Sequence, residues 1–345
     1  MDTTTTASLI LPHRASSTLA LAGRVANQHA TAHLFADYRS RKAPNTLRRQ
    51  DATLALFTRY LAAAGIPNAP APTRLAADPA AWRGTSWGLV AGFAAWLLGQ
   101  GYAIGSINGS LSTVKTYARL AMQAGALDRG EYVAIRAVQG YSRTEGKRVD
   151  AARGTARVGL KKAEAVVITH EQATALKRRP DTPQGRRDAL LMCLLLDHGL
   201  RAGEVSRLQV TDLDLPAGEL RFYRPKVDKN QTHWLTADAL RAARAYVEAT
   251  DAPAAGPLLR GSRRGGGLAA AGMSERAISA RVRELGEAIG IVGLSAHDLR
   301  HAWATRAARN GTPLDRLQEA GGWSSPAMPM RYVEAARVAN EGVRV

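Results

Sequence analysis

The stretch S-A-H-D-L-R-H-A-W-A-T-R, Ser295 to Arg306, decides how this chain is read, together with A-G-G-W-S-S-P-A-M-P-M-R-Y-V-E, Ala320 to Glu334. His297, Arg300 and His301 stand at i, i+3 and i+4, so a helix carries all three on one face. A two-glycine turn then presents Trp323, and Tyr332 follows nine residues later, beside Arg331. A phenol, two imidazoles, an indole and a guanidinium gather here without a metal-binding carboxylate cluster. Such a set suits phosphate chemistry carried out by side chains alone.

Composition supports that direction. The 345 residues suffice for two domains with cores of their own. A formal charge of +18 and a pI of about 10.7 exceed what solubility needs and point to a polyanionic partner, nucleic acid before membrane. The chain is 46% apolar, so the charge belongs to a folded protein and not to a basic tail. Cys193, the single cysteine, excludes an intramolecular disulfide and fits a reducing compartment. It lies in Ala189-Leu-Leu-Met-Cys-Leu-Leu-Leu196, which makes it a core thiol. The start, Met1-Asp-Thr-Thr-Thr-Thr, lacks the pattern of a signal peptide, and the apolar run Trp87 to Leu98 is too short to span a bilayer. The expected location is cytoplasmic, on the nucleoid when bound to DNA.

Outward from the deciding stretch, residues 1–29 are Thr-, Ala- and Ser-rich and read as an arm or a frayed first helix. A helical domain spans 30–140. Leu47, Leu54, Phe57, Leu61 and Ala64 share one helical face, with Asn45 as N-cap. Val90, Phe93 and Leu97 mark a second helix; Ile107, Leu111, Val114, Ala118 and Ala121 mark a third, capped by Ser106. Arg48, Arg49, Lys115 and Arg119 fall outside the apolar stripes and read as DNA phosphate contacts or as an ordinary solvated face. Residues 141–165 read as a basic, flexible linker, with Lys161 and Lys162 as further DNA contacts.

A second domain spans 166–332, with 333–345 as a C-terminal segment. Thr169 opens a helix, and Arg187 to His198 forms an apolar one that Gly199 ends. Arg201 sits at the next helix start, with Glu204 one turn on. Glu219 to Arg224 and Thr232 to Leu235 alternate as a β-hairpin whose turn carries Lys226. Thr236 caps a helix to Thr250, and Arg260 to Gly272, Gly- and Ala-rich and basic, reads as a mobile loop without a role. Helices follow from Ser274 and from Ala296.

Taken together, G-L-R-A-G-E, the hairpin lysine, H-D-L-R-H, and G-W followed by R-Y resemble the tyrosine recombinase (phage integrase) family of the simple two-domain type. The resemblance covers the whole second domain. It implies a mainly α fold: a helical SAM-like core-binding domain plus a mixed α/β catalytic domain with a small antiparallel sheet. It implies Arg201, Lys226, His297, Arg300, Trp323 and Tyr332 as catalytic residues, with Glu204 and His301 orienting the arginine and the imidazole. Many family members carry histidine where this chain has Trp323, a departure known within the family. Implied too are double-stranded DNA with an inverted-repeat site, a homotetramer on two such sites, a 3′-phosphotyrosine intermediate, a Holliday junction, and no cofactor or metal. The segment 333–345 would dock on a neighbouring protomer.

The physical logic stands beside the family name. A phosphodiester repels nucleophiles, and its transition state spreads further charge over the phosphoryl oxygens. Two guanidiniums clamp those oxygens with paired N–H donors. A phenol ionises near 10 and more readily beside cations, which suits Tyr332 as nucleophile. Lys226 can protonate the leaving oxygen, and His297 can accept the tyrosine proton or share in the phosphate contacts. Trp323 can donate its indole N–H.

Three other readings fit less of the chain. His297-Asp-Leu-Arg-His301 resembles the zinc-protease H-E-x-x-H, but Asp298 replaces the glutamate and no third ligand follows. A helix-turn-helix repressor built on Leu314 to Tyr332 leaves Arg201, Lys226 and His297 without a task. A type IB topoisomerase shares the tyrosine chemistry and is the harder rival.

Overall fold

The computed structural model describes residues 18–152, 165–249 and 254–336. The chain divides into two compact units, residues 1–161 and 162–345, both mainly helical. No helix among the described residues is long and apolar enough to cross a membrane.

The first unit holds α1 (Thr18–Ser40), α2 (Pro44–Ala63), α3 (Pro72–Ala77), α4 (Trp87–Gly99), α5 (Ile104–Gln123), α6 (Arg129–Ala137) and α7 (Arg143–Ala152). Its core is built by the stripes that helical periodicity picks out. Leu54, Phe57 and Leu61 of α2 pack with Val90, Phe93 and Leu97 of α4 and with Ile107, Leu111, Val114, Ala118 and Ala121 of α5. Leu47 is half-buried and Ala64, just past the end of α2, is exposed. Aromatic rings fill the centre: Phe57 stacks on Trp82 with centroids 5.8 Å apart, and Trp82 on Tyr117 at 6.1 Å.

Several local expectations for this unit change. Residues 18–29 belong to α1. The N-cap of α2 is Ala43 and not Asn45, because Pro44 starts the helix, where its missing N–H is no loss. Helix α5 begins at Ile104, which is buried in the core, so Ser106 lies inside it. The segment read as a flexible linker is helical over Arg143–Ala152. The cause is a capping box that the basic composition hides. The Glu145 N–H donates to the Ser142 hydroxyl at 3.2 Å, and the Ser142 N–H donates back to the Glu145 carboxylate at 2.8 Å. Lys161, Lys162 and residues 337–345 lie outside the described residues.

The second unit runs α8 (His170–Lys177), α9 (Pro183–Leu196), α10 (Ala202–Val205), β1 (Leu213–Asp214), β2 (Glu219–Arg224), β3 (Lys229–Trp234), α11 (Ala237–Glu248), β4 (Arg260–Ser262), β5 (Leu268–Gly272), α12 (Glu275–Glu287), α13 (Ala296–Arg309), α14 (Leu314–Gly321) and α15 (Ala327–Ala336). Helix α9 is the centre of the core, with Leu190, Leu191, Leu194, Leu195 and Leu196 all fully buried. Cys193 is buried there too, and burial pushes its thiol up to about 12. Helix α9 starts one turn earlier than the apolar pattern predicts, because the Thr182 hydroxyl accepts the Gly185 N–H and Pro183 follows it.

Strands β1, β2 and β3 form an antiparallel sheet in that order, with Arg224 paired to Lys229 across the turn. The Arg260–Gly272 stretch, read as a mobile loop, is a second hairpin, β4 with β5. The buried Arg187 side chain ties it down, donating to the Arg260 carbonyl at 3.0 Å and the Ser262 hydroxyl at 2.9 Å. Asp188 neutralises that guanidinium and also pairs with Arg281 of α12 at 2.7 Å.

Candidate active site

Three chain turns bring the site together. The first follows α9. Gly199 adopts φ +60°, and a side chain there would run into the Trp303 ring, so the position needs glycine twice over. Arg201, two residues on, is the N-cap of α10. Its backbone N–H donates to Glu204 Oε2 at 2.8 Å and its Nη1 to Glu204 Oε1 at 2.6 Å. Glu204 is therefore both cap and guanidinium anchor for one residue. Its Nη2 donates to the Gly322 carbonyl at 3.3 Å, and the Arg201 side chain stays about a quarter exposed.

The second is the start of α13. Ser295 caps it, its hydroxyl and N–H both donating to Asp298, which also accepts the Val166 N–H at 3.1 Å. Asp298 is thus a buried structural carboxylate and not a catalytic base. One turn later Arg300 is 2% exposed, donating from Nη1 to the Gly199 carbonyl and from Nη2 to the Gly321 carbonyl. Two of its five N–H donors are used in this way, leaving three. Its guanidinium lies 4.6 Å from the Trp323 ring centroid. Burial first, then Arg201 and Arg224, push its pKa down to about 9, so it remains cationic at neutral pH.

His297 and His301 share the predicted face, their rings edge-to-face at 4.8 Å. Partial burial first, then His301 and Arg300, hold the His297 imidazole below its ordinary value, so it is neutral at pH 7. Burial lowers His301 in the same direction.

The third turn follows α14. Gly321 and Gly322 end that helix, Gly322 in the left-handed region at φ +57°, and a side chain on Gly321 would strike the Trp323 ring. Trp323 stacks on Trp303 at 6.1 Å and faces the Tyr332 ring of α15 at 5.6 Å. Tyr332 is 4% exposed, and the His301 ring meets it edge-to-face at 5.0 Å. Here the cationic surroundings do not prevail. Burial raises the Tyr332 pKa, and Arg300, Arg201 and Arg331 only partly reverse it. The phenol is protonated at rest, so its attack requires a proton acceptor.

Arg201, Glu204, His297, Arg300, His301, Trp323 and Tyr332 thus form one connected group. Lys226 stands at the β2–β3 turn, exposed, without a hydrogen bond or ion pair to them among the described residues. In the first unit Arg48, Arg49 and Arg119 are exposed, with Arg48 bonded to Asn45. Lys115 is occupied. Its ammonium donates to the Arg136 carbonyl at 3.1 Å and to the Val138 carbonyl, closing the end of α6. The residue that sequence reading missed is Arg224, fully buried against Glu204 at 3.1 Å. Strand alternation holds the signal, since Leu220, Phe222 and Arg224 share one face and the first two are apolar.

A helical unit, and a second unit with a three-stranded sheet and its tyrosine on the last described helix, define the tyrosine recombinase fold. A lambda integrase dimer bound to a core site superposes with a TM-score of 0.60 at 16% identity, covering 94% of this chain and 82% of that one. The model of the Phage integrase family matches residues 166–338, half of the chain, and the protein belongs to that family. It is 30% identical over 183 residues to tyrosine recombinase XerD of Neisseria meningitidis serogroup B, covering 51% of this chain and 61% of the relative. It is also 30% identical over 169 residues to tyrosine recombinase XerC of Pelobacter propionicus, covering 48% and 54%. The matched stretches span little more than half the length of these relatives.

Proposed function

We propose that the chain is a site-specific DNA recombinase that cleaves and rejoins strands through Tyr332. The observation that carries this reading is the gathering of Arg201, Arg300, Trp323 and His301 around a buried tyrosine, with His297 against His301. Arg201 and Arg300 hold the non-bridging oxygens of the scissile phosphate and stabilise the charge that builds there. His297, neutral at pH 7, accepts the Tyr332 proton as the phenolic oxygen bonds to phosphorus. The bond from phosphorus to the 5′-oxygen breaks, and Lys226 protonates that oxygen from the hairpin turn once the hairpin is seated on DNA. Trp323 packs on the tyrosine ring and offers an indole N–H to the phosphate.

The 3′-phosphotyrosine ester keeps the energy of the phosphodiester, so a free 5′-hydroxyl of another strand can reverse the step without ATP. Two such exchanges pass through a Holliday junction. In this reading residues 30–140 form the core DNA-binding domain, a homotetramer assembles on two inverted-repeat duplexes, and residues 333–345 dock on a neighbouring protomer. The chemistry uses side chains alone, so cleavage should persist in EDTA; loss of cleavage on chelation would overturn that part.

Covalent trapping tests the whole. Wild-type and Tyr332→Phe proteins are incubated with nicked, partly randomised duplexes, denatured in detergent, and examined for protein-linked DNA. The expected result is a 3′-linked adduct with wild type, none with Tyr332→Phe, and trapped sequences that converge on an inverted repeat. An adduct formed by Tyr332→Phe would overturn the nucleophile assignment. Adducts on random sequence would make the enzyme a topoisomerase instead.

A further inference from the structure

A third guanidinium, not used in the chemistry above, is buried beside Glu204. None of the Arg224 side chain is exposed. Its Nη1 donates to the two Glu204 oxygens at 3.3 and 3.1 Å and to the Gly321 carbonyl at 3.0 Å, and its Nη2 donates to the Ala320 carbonyl at 2.8 Å. Its guanidinium carbon lies 4.8 Å from the Phe222 ring centroid. A side chain on Gly322 would meet the Arg224 stem, so the glycine turn is fitted around it. Its Nε is buried with no partner.

We propose that Arg224 is a positioning residue for strand cleavage: it locks the Glu204 carboxylate that orients Arg201 and, through the Ala320 and Gly321 carbonyls, the turn that sets Trp323 against Tyr332. The inference rests on the recombinase reading. Three guanidiniums converge on two glycines. Arg224 and Arg300 share the Gly321 carbonyl, while Arg201 reaches the Gly322 carbonyl at 3.3 Å. Glu204 is shared in the same way between Arg201 and Arg224. Removing Arg224 therefore takes one of two guanidiniums from the Glu204 carboxylate and one of two from the Gly321 carbonyl together, while changing no exposed surface. Burial pushes its pKa down to about 10, which leaves it charged at neutral pH. A lysine cannot replace it, because one ammonium lacks the planar fork that serves a carboxylate and two carbonyls at once.

The signature is a loss of rate without a loss of affinity. Arg224→Lys should slow single-turnover cleavage of a nicked duplex roughly tenfold and Arg224→Met roughly a hundredfold, the scale set by one misplaced transition-state donor. Duplex affinity should stay within about twofold of wild type, since lost phosphate contacts and not lost geometry weaken binding. Arg224→Met combined with Glu204→Gln should be no slower than the worse single variant, as expected for groups acting as a unit. A folded Arg224→Met that cleaves at the wild-type rate overturns the proposal. If that variant does not fold, Arg224→Lys decides, and wild-type cleavage by it is equally fatal. Fluorine NMR of 5-fluorotryptophan protein gives a reading independent of activity. The Trp323 resonance, assigned by Trp323→Phe, should shift in Arg224→Lys and would stay put if Arg224 did not set the turn. Failure of wild type itself to form an adduct would sink the recombinase reading, and the Trp323 resonance would then decide the positioning role alone.

Discussion

Two groups of arginines, one in each unit, are held in opposite ways. In the first, Arg48, Arg49 and Arg119 project into solvent around a core of leucines and stacked aromatic rings. In the second, Arg187, Arg224 and Arg300 are at most 2% exposed, each donating to carboxylates or backbone carbonyls. A solvated cation adapts to whatever phosphate comes near, and salt screens it. A buried one costs desolvation and is useful only where its direction matters. The contrast separates a surface suited to affinity from a site suited to geometry, and that separation can be attacked from either side.

The largest effect should come from the buried side. Arg300→Gln shortens the stem and loses the charge and most of the fork. Single-turnover cleavage should fall by about 100- to 1,000-fold. Because Arg300 also ties Gly199 to Gly321, stability should fall by ~2 kcal/mol, read from a denaturant midpoint. A variant that loses stability yet cleaves normally would break the assignment of Arg300 to the phosphate and leave it a structural strut.

Two pH effects sharpen the same contrast. His297 is held below its ordinary value, so it accepts a proton throughout the neutral range. The cleavage rate should be level at neutral pH and fall only below about 6.5, the unperturbed histidine value. A limb already falling between pH 8 and 7 would point to another base. The second effect is on stability. His198 and His233 lie 5.8 Å apart, and burial pushes them down to about 4 and about 3, with Nε2 of each unpartnered. The unfolded chain binds protons at these imidazoles first, so stability is complete above pH 6.5 and is lost as pH falls toward the folded values. The loss is about 1.4 kcal/mol per pH unit for each histidine once it is charged in the unfolded state. His233→Leu should flatten this dependence between pH 6 and 4; an unchanged slope would mean that carboxylates cause it.

What could be read from the sequence follows from how local each cause is. Helical periodicity is local, so the stripes on α2, α4 and α5 and the face carrying His297, Arg300 and His301 were plain. The capping residues Thr169, Thr236 and Ser295 announce their helices in the same way, each side chain accepting an N–H three residues on. The Gly321–Gly322 turn before Trp323 was legible because a glycine pair supplies the left-handed backbone that ends a helix. The hairpin at Arg260–Gly272 was not, because what orders it is Arg187, more than seventy positions away in sequence. Arg224 was hidden for a related reason. An arginine at a strand end reads as a surface charge until Glu204 and the Ala320 and Gly321 carbonyls are seen to surround it. Tyr332 shows a limit of another kind. Charge is visible in sequence but burial is not, and burial decides the direction of its pKa.

The smallest predicted effect divides two residues that sequence spacing treats alike. Lys115 and Arg119 are four apart on α5, off the apolar stripe, and both read as phosphate contacts. Arg119 is exposed, whereas Lys115 is partly buried with its ammonium on the Arg136 and Val138 carbonyls. Arg119→Ala should weaken duplex binding a few-fold and reduce the slope of log affinity against log salt by about 0.9, the amount for one phosphate contact. Lys115→Met removes two donors from the end of α6 and should lower stability by ~1 kcal/mol, leaving the salt slope unchanged. Fluorescence anisotropy across a salt series, beside thermal melts of the two variants, reads both quantities. If Lys115→Met loses a full unit of slope, its ammonium leaves the carbonyls for DNA, and the line drawn between solvated and fixed cations does not hold in the first unit.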